Sequence, residues 1–288
     1  MTGFRYLGPT TVEETVALLR EHGDDATLLA GGQSLMILLR QRLVVPGVLV
    51  GLKGVTELQG VETHGSSIRV GSMVTYRSLA RHPIAKNLGV LVAAAGSVGS
   101  VHIRNLGTIG GSLCHADPAG DLPTVLLMYG GILRLRTPDG GERTHAIDDF
   151  FTGLFETRRE PGELLVAVEV AVQPADATYS YRRFSFREGE YPMCVVACRL
   201  DWDGDRCVGA RVAVGGAGTH PQRLTEVEER LADATPTAEL MASVAAEIRG
   251  QLQPVPDVRG TSQWKAKVVS HVLEDALVDA LQQMVQHA

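Results

Sequence analysis

The spacing of apolar residues along the chain predicts a small mixed unit at its beginning. Apolar positions at helical spacing, opened by a capping-box pattern, predict a helix from about Thr11 to His22. A short apolar run predicts a strand at Ala26–Ala30, and "GVLVGL" predicts another, with a helix after Ser34 between them. Residues 1–53 are therefore expected to form an α/β unit.

The next part of the chain has a different pattern, in which short strands are mixed with helices and glycine-rich loops. The strand patterns are "SIRVGS", "GILRLRT" and "LLVAVEV", and helical patterns occur near Tyr76–Arg81 and Leu88–Ser97. This mixture without a regular strand–helix alternation indicates an α+β domain. We assign it to residues 54–175.

The last part of the chain, residues 176–288, combines long strands with a long amphipathic helix. The strand patterns "YSYRRFSFR", "MCVVACRLDW" and "RCVGARVAVGGAG", with a turn at Asp203-Gly204, predict a three-stranded antiparallel sheet. Packing on this sheet is favoured over binding of a partner for the final helix. Its apolar stripe consists of Val268, Val269, Val272, Leu273, Ala276, Leu277, Ala280, Leu281, Met284 and Val285.

Composition and charge narrow the possible partners. The chain has 44% hydrophobic and 21% charged residues, which is typical of a globular protein, and its net charge of −6 argues against binding to nucleic acid or an anionic membrane. An apolar run of about 18 residues is missing, and the first residues do not resemble a signal peptide, so we expect no membrane insertion and a cytoplasmic location. The spacing of the four cysteines does not match that of known metal-ligand motifs, so no metal is expected in this chain.

Two glycine loops carry the candidate chemistry. In "AGGQS", Gly31 and Gly32 permit close approach of the backbone to a ligand, and Ser34 offers a hydroxyl near a helix start, a combination suited to phosphate oxygens. A tight strand-to-helix turn explains the same residues equally well. A second loop in a different part of the chain, "GTIGGSLCHADPAGDLP", also combines glycines with neighbouring hydroxyl side chains. Two such loops together predict a long diphosphate ligand held between them.

Asp121, at the end of the second loop, has two interpretations. It is placed to cap the helix "LPTVLLM", and a carboxylate is also suited to accept hydrogen bonds from a ribose diol. Neither loop has the GxGxxG pattern of a Rossmann site, and the chain lacks the GxxxxGK[ST] pattern of nucleotide triphosphatases.

Together, "AGGQS", "TIGG" and "ADPAGDLP" resemble the FAD-binding medium subunit of molybdenum hydroxylases, the family of carbon monoxide dehydrogenase, xanthine dehydrogenase and quinoline oxidoreductase. The likeness extends through "REPGELLVAVEV", "FREGEYP" and "DVRGTS" and covers nearly the whole chain. It implies an α+β fold of the vanillyl-alcohol oxidase (PCMH) type, with a two-part FAD-binding region and a separate C-terminal domain.

The resemblance also implies which residues contact FAD. Asp121 would bind the ribose end and Tyr191 would neighbour the isoalloxazine ring, while His115, Asp117 and Arg187 would lie near the flavin or else be ordinary polar residues. Typical members read "RNRGTIGG" and "GDYA", so Leu106 and Pro192 depart from the pattern. The implied FAD contacts are Leu29, Ala30, Gly31, Gly32, Gln33, Ser34, Leu35, Thr108, Ile109, Gly110, Gly111, Ser112, His115, Asp117, Asp121, Arg187 and Tyr191.

The function implied by the resemblance is electron transfer, with no catalytic acid or base in this chain. Electrons would arrive from an iron–sulfur small subunit, after oxidation of substrate on a molybdopterin-binding large subunit, and would leave to an external acceptor. Two alternatives stay open: a free-standing FAD-dependent oxidase or monooxygenase, and a scaffold protein that has lost FAD.

Overall fold

The computed structural model describes residues 3–174 and 176–287, and it begins with the expected α/β unit. The three strands form a parallel sheet in the order β1-β3-β2, and the side chain of Thr11 caps the first helix by accepting from the Glu14 N–H. The predicted elements are confirmed within one or two residues at their ends. They are β1 (Arg5–Leu7), α1 (Val12–His22), β2 (Ala26–Leu29), α2 (Leu35–Arg40) and β3 (Val48–Gly51).

The middle region is built on an antiparallel sheet of five strands with helices packed on it. The sheet has the order β4-β5-β10-β6-β7, and β8 and β9 form a separate small hairpin. The predicted α+β character is confirmed. The elements are β4 (Val61–His64), β5 (Ser67–Gly71), α3 (Tyr76–Arg81), α4 (Gly89–Ser97), α5 (Val101–Leu106), α6 (Ile109–His115), α7 (Asp121–Tyr129), β6 (Ile132–Arg136), β7 (Glu142–Ala146), β8 (Phe151–Gly153), β9 (Glu156–Thr157) and β10 (Leu164–Ala171).

The C-terminal region contains a four-stranded antiparallel sheet, β11-β12-β13-β14, rather than the three strands predicted. The extra strand has two residues, too few for an alternating pattern to be recognised. The hairpin between β12 and β13 is confirmed, but Asp203 pairs with Arg206, so the loop residues are Gly204 and Asp205. The elements are β11 (Ala177–Phe184), β12 (Cys194–Asp203), β13 (Arg206–Gly215), β14 (Gln222–Arg223), α8 (Thr225–Leu231), α9 (Ala238–Ile248) and α10 (Ser262–His287).

Helix α7 packs between the middle and C-terminal regions, within the hydrophobic core of the middle region. All nine of its residues are buried, and it contacts β10 on one side and β12 and β13 on the other. A helix that is apolar on every face has to be enclosed on every face. Because α7 begins at Asp121, its position fixes where the end of the second glycine loop meets the C-terminal sheet.

The long helix α10 packs on β11 and β12, as its apolar stripe predicted. The Cys198 thiol donates to the Ala276 carbonyl across this interface at 3.4 Å. Leu277 is fully buried, whereas Val285, near the end of the stripe, is 65% exposed. In the part of the chain that the structure describes, no helix combines the length and apolar character needed to cross a bilayer.

We predict that Leu277→Ala lowers the free energy of unfolding by about 2 to 5 kcal/mol, because truncation of a fully buried leucine removes burial and leaves a cavity. Val285→Ala on the same helix should change it by less than about 0.5 kcal/mol. Urea denaturation followed by circular dichroism measures both. Equal effects of the two substitutions would show that α10 does not use this face for packing.

Candidate functional site

A cleft of about 920 Å³ is lined by residues of both the N-terminal unit and the middle region. The turn between β11 and β12 contributes Gly189 to Pro192 to its lining. Its volume lies at the upper end of the range of about 300 to 1,000 Å³ typical of small-molecule and cofactor sites. The cleft is therefore large enough for an elongated organic ligand.

The first glycine loop offers unused backbone donors to this cleft. The N–H groups of Gly32, Gln33 and Ser34 donate to no atom of residues 3–174 and 176–287, and all three residues line the cleft. Gly32 has φ of 70°, which side-chain-bearing residues adopt only with strain. The Gln33 side-chain amide donates to the Gly31 carbonyl at 2.9 Å and steadies the loop. Several free N–H groups in one turn are suited to binding an anion.

The two glycine loops are in direct contact. A Cβ atom on Gly31 would overlap the carbonyl oxygen of Leu106, just before the second loop. A Cβ on Gly111 would lie 3.6 Å from the Ala30 side chain. Glycine at position 31 is thus required by the backbone-to-backbone approach that brings the two loops to one site.

The second loop differs from the expectation that it, too, presents free N–H groups. The N–H of Gly110 donates to the Ser72 carbonyl at 2.8 Å, and the N–H of Gly111 donates to the Thr108 hydroxyl at 3.1 Å. The N–H of Ser112 donates to the Thr108 carbonyl at 3.0 Å. Because Thr108 caps α6, this loop uses its donors internally, and its glycines provide close packing instead.

Most of the implied FAD contacts line the cleft. The structure brings together residues from the first loop, the second loop and the turn after β11. They are Ala30, Gly31, Gly32, Gln33, Ser34, Leu35, Thr108, Gly110, Gly111, Ser112, His115, Asp117, Asp121 and Tyr191.

Three of the implied contacts lie outside the lining of the cleft. Leu29 belongs to β2, and Ile109 is fully buried in the middle core. The side chain of Arg187 is 84% exposed and lies 3.8 Å from the carboxylate of Glu190. It is exposed and does not line the cleft, because β11 has ended at Phe184 and the chain has entered an exposed turn.

A different arginine of the same segment, Arg183, lines the cleft. Its guanidinium donates to the Ser97 carbonyl at 2.6 Å and to the Glu190 carbonyl at 3.0 Å, and its Nε lies 3.3 Å from Asp121 Oδ1. Strand periodicity offered a signal for this residue. In the "YRRFSFR" segment, Tyr181 and Arg183 are two positions apart and so share one face of the strand.

Asp121 is held in a buried polar cluster and does not cap its helix. The N-cap of α7 is Gly120, and the Asp121 carboxylate accepts a hydrogen bond from the Tyr181 hydroxyl at 2.5 Å. That hydroxyl also lies 2.8 Å from the Ser97 hydroxyl. Burial raises the pKa of Asp121, and the charge of Arg183 opposes this shift.

Tyr191 lies at the same end of the cleft as Asp121. Burial and then the nearby charges of Asp117 and Asp121 raise the pKa of Tyr191, although about half of the residue (49%) is exposed. Asp121 and Tyr191 therefore share one end of the cleft.

His115 and Asp117 also lie on the cleft wall. The His115 ring is 5.0 Å from the ring of Phe155, and burial lowers the pKa of His115 and so favours its neutral form. Asp117 accepts from the Ala119 N–H at 3.0 Å, which shapes the turn leading to α7.

Comparison with known proteins identifies the family of this chain. Residues 2–172 match the family model described as the FAD binding domain in molybdopterin dehydrogenase, and residues 179–280 match the CO dehydrogenase flavoprotein C-terminal domain. The chain belongs to the FAD-binding medium subunits of molybdenum hydroxylases. It is therefore the flavoprotein component of an oxidoreductase, and its cofactor is FAD.

Individual relatives are similar to this medium subunit over nearly their whole length. The 6-hydroxypseudooxynicotine dehydrogenase complex subunit alpha of Paenarthrobacter nicotinovorans is 36% identical, over 96% of this chain and 94% of its own. The carbon monoxide dehydrogenase medium chain of Afipia carboxidovorans is 30% identical, over 95% of each. Quinoline 2-oxidoreductase of Pseudomonas putida superposes with a TM-score of 0.92 at 30% identity, with 98% of each chain covered. Carbon monoxide dehydrogenase of Hydrogenophaga pseudoflava superposes with a TM-score of 0.94 at 29% identity, also with 98% of each covered.

The residues of the cleft fit this cofactor. The free N–H groups of residues 32–34 can donate to phosphate oxygens, and the bare backbone at Gly31 leaves no side chain between the loops. Hydroxyl, carboxylate and guanidinium groups follow at the end formed by Asp121, Arg183 and Tyr191, where a polar ring system can find donors and acceptors.

We predict that Tyr181→Phe lowers the free energy of unfolding by about 1 to 3 kcal/mol, because it leaves the buried Asp121 carboxylate without its hydrogen-bond donor. Tyr179→Phe is the matched control on the same strand, since among the described residues its hydroxyl makes only an exposed contact of 3.5 Å, with the Pro174 carbonyl. Chemical denaturation of the two variants tests this. Similar losses in both would mean that the Asp121 bond does not stabilise the fold.

Proposed function

We propose that this medium subunit collects electrons from an iron–sulfur partner subunit and passes them to an external acceptor through FAD bound in the cleft. The observation that carries the proposal is the meeting of the two glycine loops in a cleft of about 920 Å³ whose first loop has three unused N–H donors. The family fixes the cofactor, and this arrangement supports its placement.

In this proposal the diphosphate lies against residues 31–34, and the two halves of FAD extend in opposite directions. The N-terminal unit, with Arg20 and Asp24 on the cleft wall, takes the adenosine half. Asp121, Arg183 and Tyr191 neighbour the flavin half. Arg183 replaces Arg187 as the arginine facing the cofactor, because of these two only Arg183 lines the cleft.

The chain's own residues bind and orient the cofactor and set its electrostatic surroundings. Bound FAD supplies the redox chemistry, since its isoalloxazine ring can accept and release electrons. Arg183 places a fixed positive charge at the flavin end, balanced by the carboxylate of Asp121 at 3.3 Å. His115, kept neutral by burial, adds no competing charge near pH 7.

The relatives support the proposed partners. Several are named as a subunit or medium chain of a dehydrogenase, as in the 6-hydroxypseudooxynicotine dehydrogenase complex and in carbon monoxide dehydrogenase. We infer that this chain likewise assembles with a molybdopterin-binding large subunit and an iron–sulfur small subunit. The cytoplasmic location expected from the sequence stays a prediction.

Purification of the natural complex tests the proposed assembly. We expect one flavin for each copy of this chain, together with iron and molybdenum on two co-purifying subunits. Quantification of flavin, iron and molybdenum, with mass spectrometry of the subunits, is the measurement. A yellow chain that purifies alone and reduces oxygen with a substrate of its own would instead indicate a free-standing oxidase or monooxygenase, and a colourless chain would indicate a scaffold.

We predict that Gly31→Ala abolishes stoichiometric flavin binding, because the new methyl group would overlap the Leu106 carbonyl and force the loops apart. Gly96→Ala is the control, since a Cβ at this position in α4 meets no atom within 4 Å and alanine favours the helix. Flavin absorbance for each folded chain compares them, with circular dichroism to verify folding. A folded Gly31→Ala variant with full flavin content would contradict the assignment of the first loop.

A further inference from the structure

One residue that lines the cleft has a buried hydroxyl without a hydrogen-bond partner among the described residues. Among the described residues, eight buried side-chain nitrogen or oxygen atoms lack a hydrogen bond, and two of them belong to cleft-lining residues: Ser72 Oγ and Arg183 Nε. The arginine atom is compensated electrostatically by Asp121 at 3.3 Å. Ser72 Oγ has no such compensation, although the residue is only 5% exposed.

Ser72 is held firmly in place at the end of β5. Its N–H donates to the Val166 carbonyl at 2.9 Å, and its carbonyl accepts from the Gly110 N–H at 2.8 Å. Its Cβ lies 2.5 Å from the position that a Cβ on Gly110 would occupy, so the side chain fills the space left by that glycine. The backbone at Ser72 is therefore fixed, and rotation about χ1 alone decides in which direction the hydroxyl points.

A buried hydroxyl without a partner costs free energy relative to a hydrogen-bonded one or to alanine. Such a group is explained when its partner arrives with a ligand. Ser72 contacts Gly110, while the next residue, Gly111, lies beside Ala30 of the first loop. Through these contacts Ser72 lies close to the start of the first loop, which carries the free N–H groups of residues 32–34.

We propose that Ser72 is a cofactor-binding residue that donates a hydrogen bond to an oxygen of the diphosphate–ribityl segment of FAD. This inference rests on the proposed placement of FAD in the cleft. Because the N–H groups of Gly110, Gly111 and Ser112 are used within the protein, the Ser72 hydroxyl supplies a donor from the middle region that those N–H groups do not. No sequence motif indicates it, since it lies in neither glycine loop.

Ser72→Ala tests the proposal in the protein as it purifies, with any natural partner subunits. We expect the dissociation constant for FAD, measured by recovery of flavin fluorescence on release, to rise about three- to tenfold, the range for loss of one neutral hydrogen bond. The melting temperature of the flavin-free form should stay the same or rise, because the substitution removes an unpaired polar atom. Loss of affinity without loss of stability distinguishes cofactor contact from a structural role.

Ser270→Ala is the matched control, because Ser270 is also buried but its hydroxyl donates to the Ala245 carbonyl at 2.6 Å, in the C-terminal core. It should lower the melting temperature and leave FAD affinity unchanged. A less than threefold change in FAD affinity for Ser72→Ala, or a parallel loss of flavin-free stability, would overturn the inference. Wild-type protein that binds no FAD would instead overturn the proposed function.

Discussion

The approach of the Gly31 backbone to the Leu106 carbonyl is the constraint on which the cofactor site depends. It leaves no space for a side chain, so two short turns from different parts of the chain can share one wall of a cleft. The two turns differ in how their N–H groups are used. In the first turn they remain free for a ligand. In the second turn the Gly111 N–H donates to the Thr108 cap of α6 and the Gly110 N–H donates to the Ser72 carbonyl, which makes this turn a rigid support.

A second constraint is the buried cluster that links Asp121 to β11. The hydroxyl of Tyr181 and the guanidinium of Arg183 both reach the Asp121 carboxylate, and Ser97 contacts both of those side chains. Removing a carboxylate from water is unfavourable, and the hydrogen bond and opposite charge offset that cost. The C-terminal sheet therefore contributes residues to the end of the cleft that holds Asp121 and Tyr191, as well as packing beside it.

Much of this organisation could be predicted from the sequence, because it depends on local patterns. The α/β unit, the α+β middle region, the amphipathic α10 and the first glycine loop each have a signature of spacing or residue type. The features that could not be predicted depend on tertiary context. Arg187 and Arg183 are alike in sequence, and of the two only Arg183 lines the cleft, because β11 ends at Phe184. The use of the Gly111 N–H in the cap of α6 and the unpartnered hydroxyl of Ser72 likewise become visible only in the folded chain.

Helix α7 has a consequence for how the whole molecule responds to its cofactor. The nine residues of α7 pack against both the middle sheet and the C-terminal sheet, so separating the two regions would expose the apolar surface of this helix to water. The two regions are therefore expected to unfold together. A ligand that binds only the native state stabilises every part of a cooperative unit. Both tryptophans, Trp202 and Trp264, lie in the C-terminal region, so their intrinsic fluorescence becomes a remote reporter of cofactor loading.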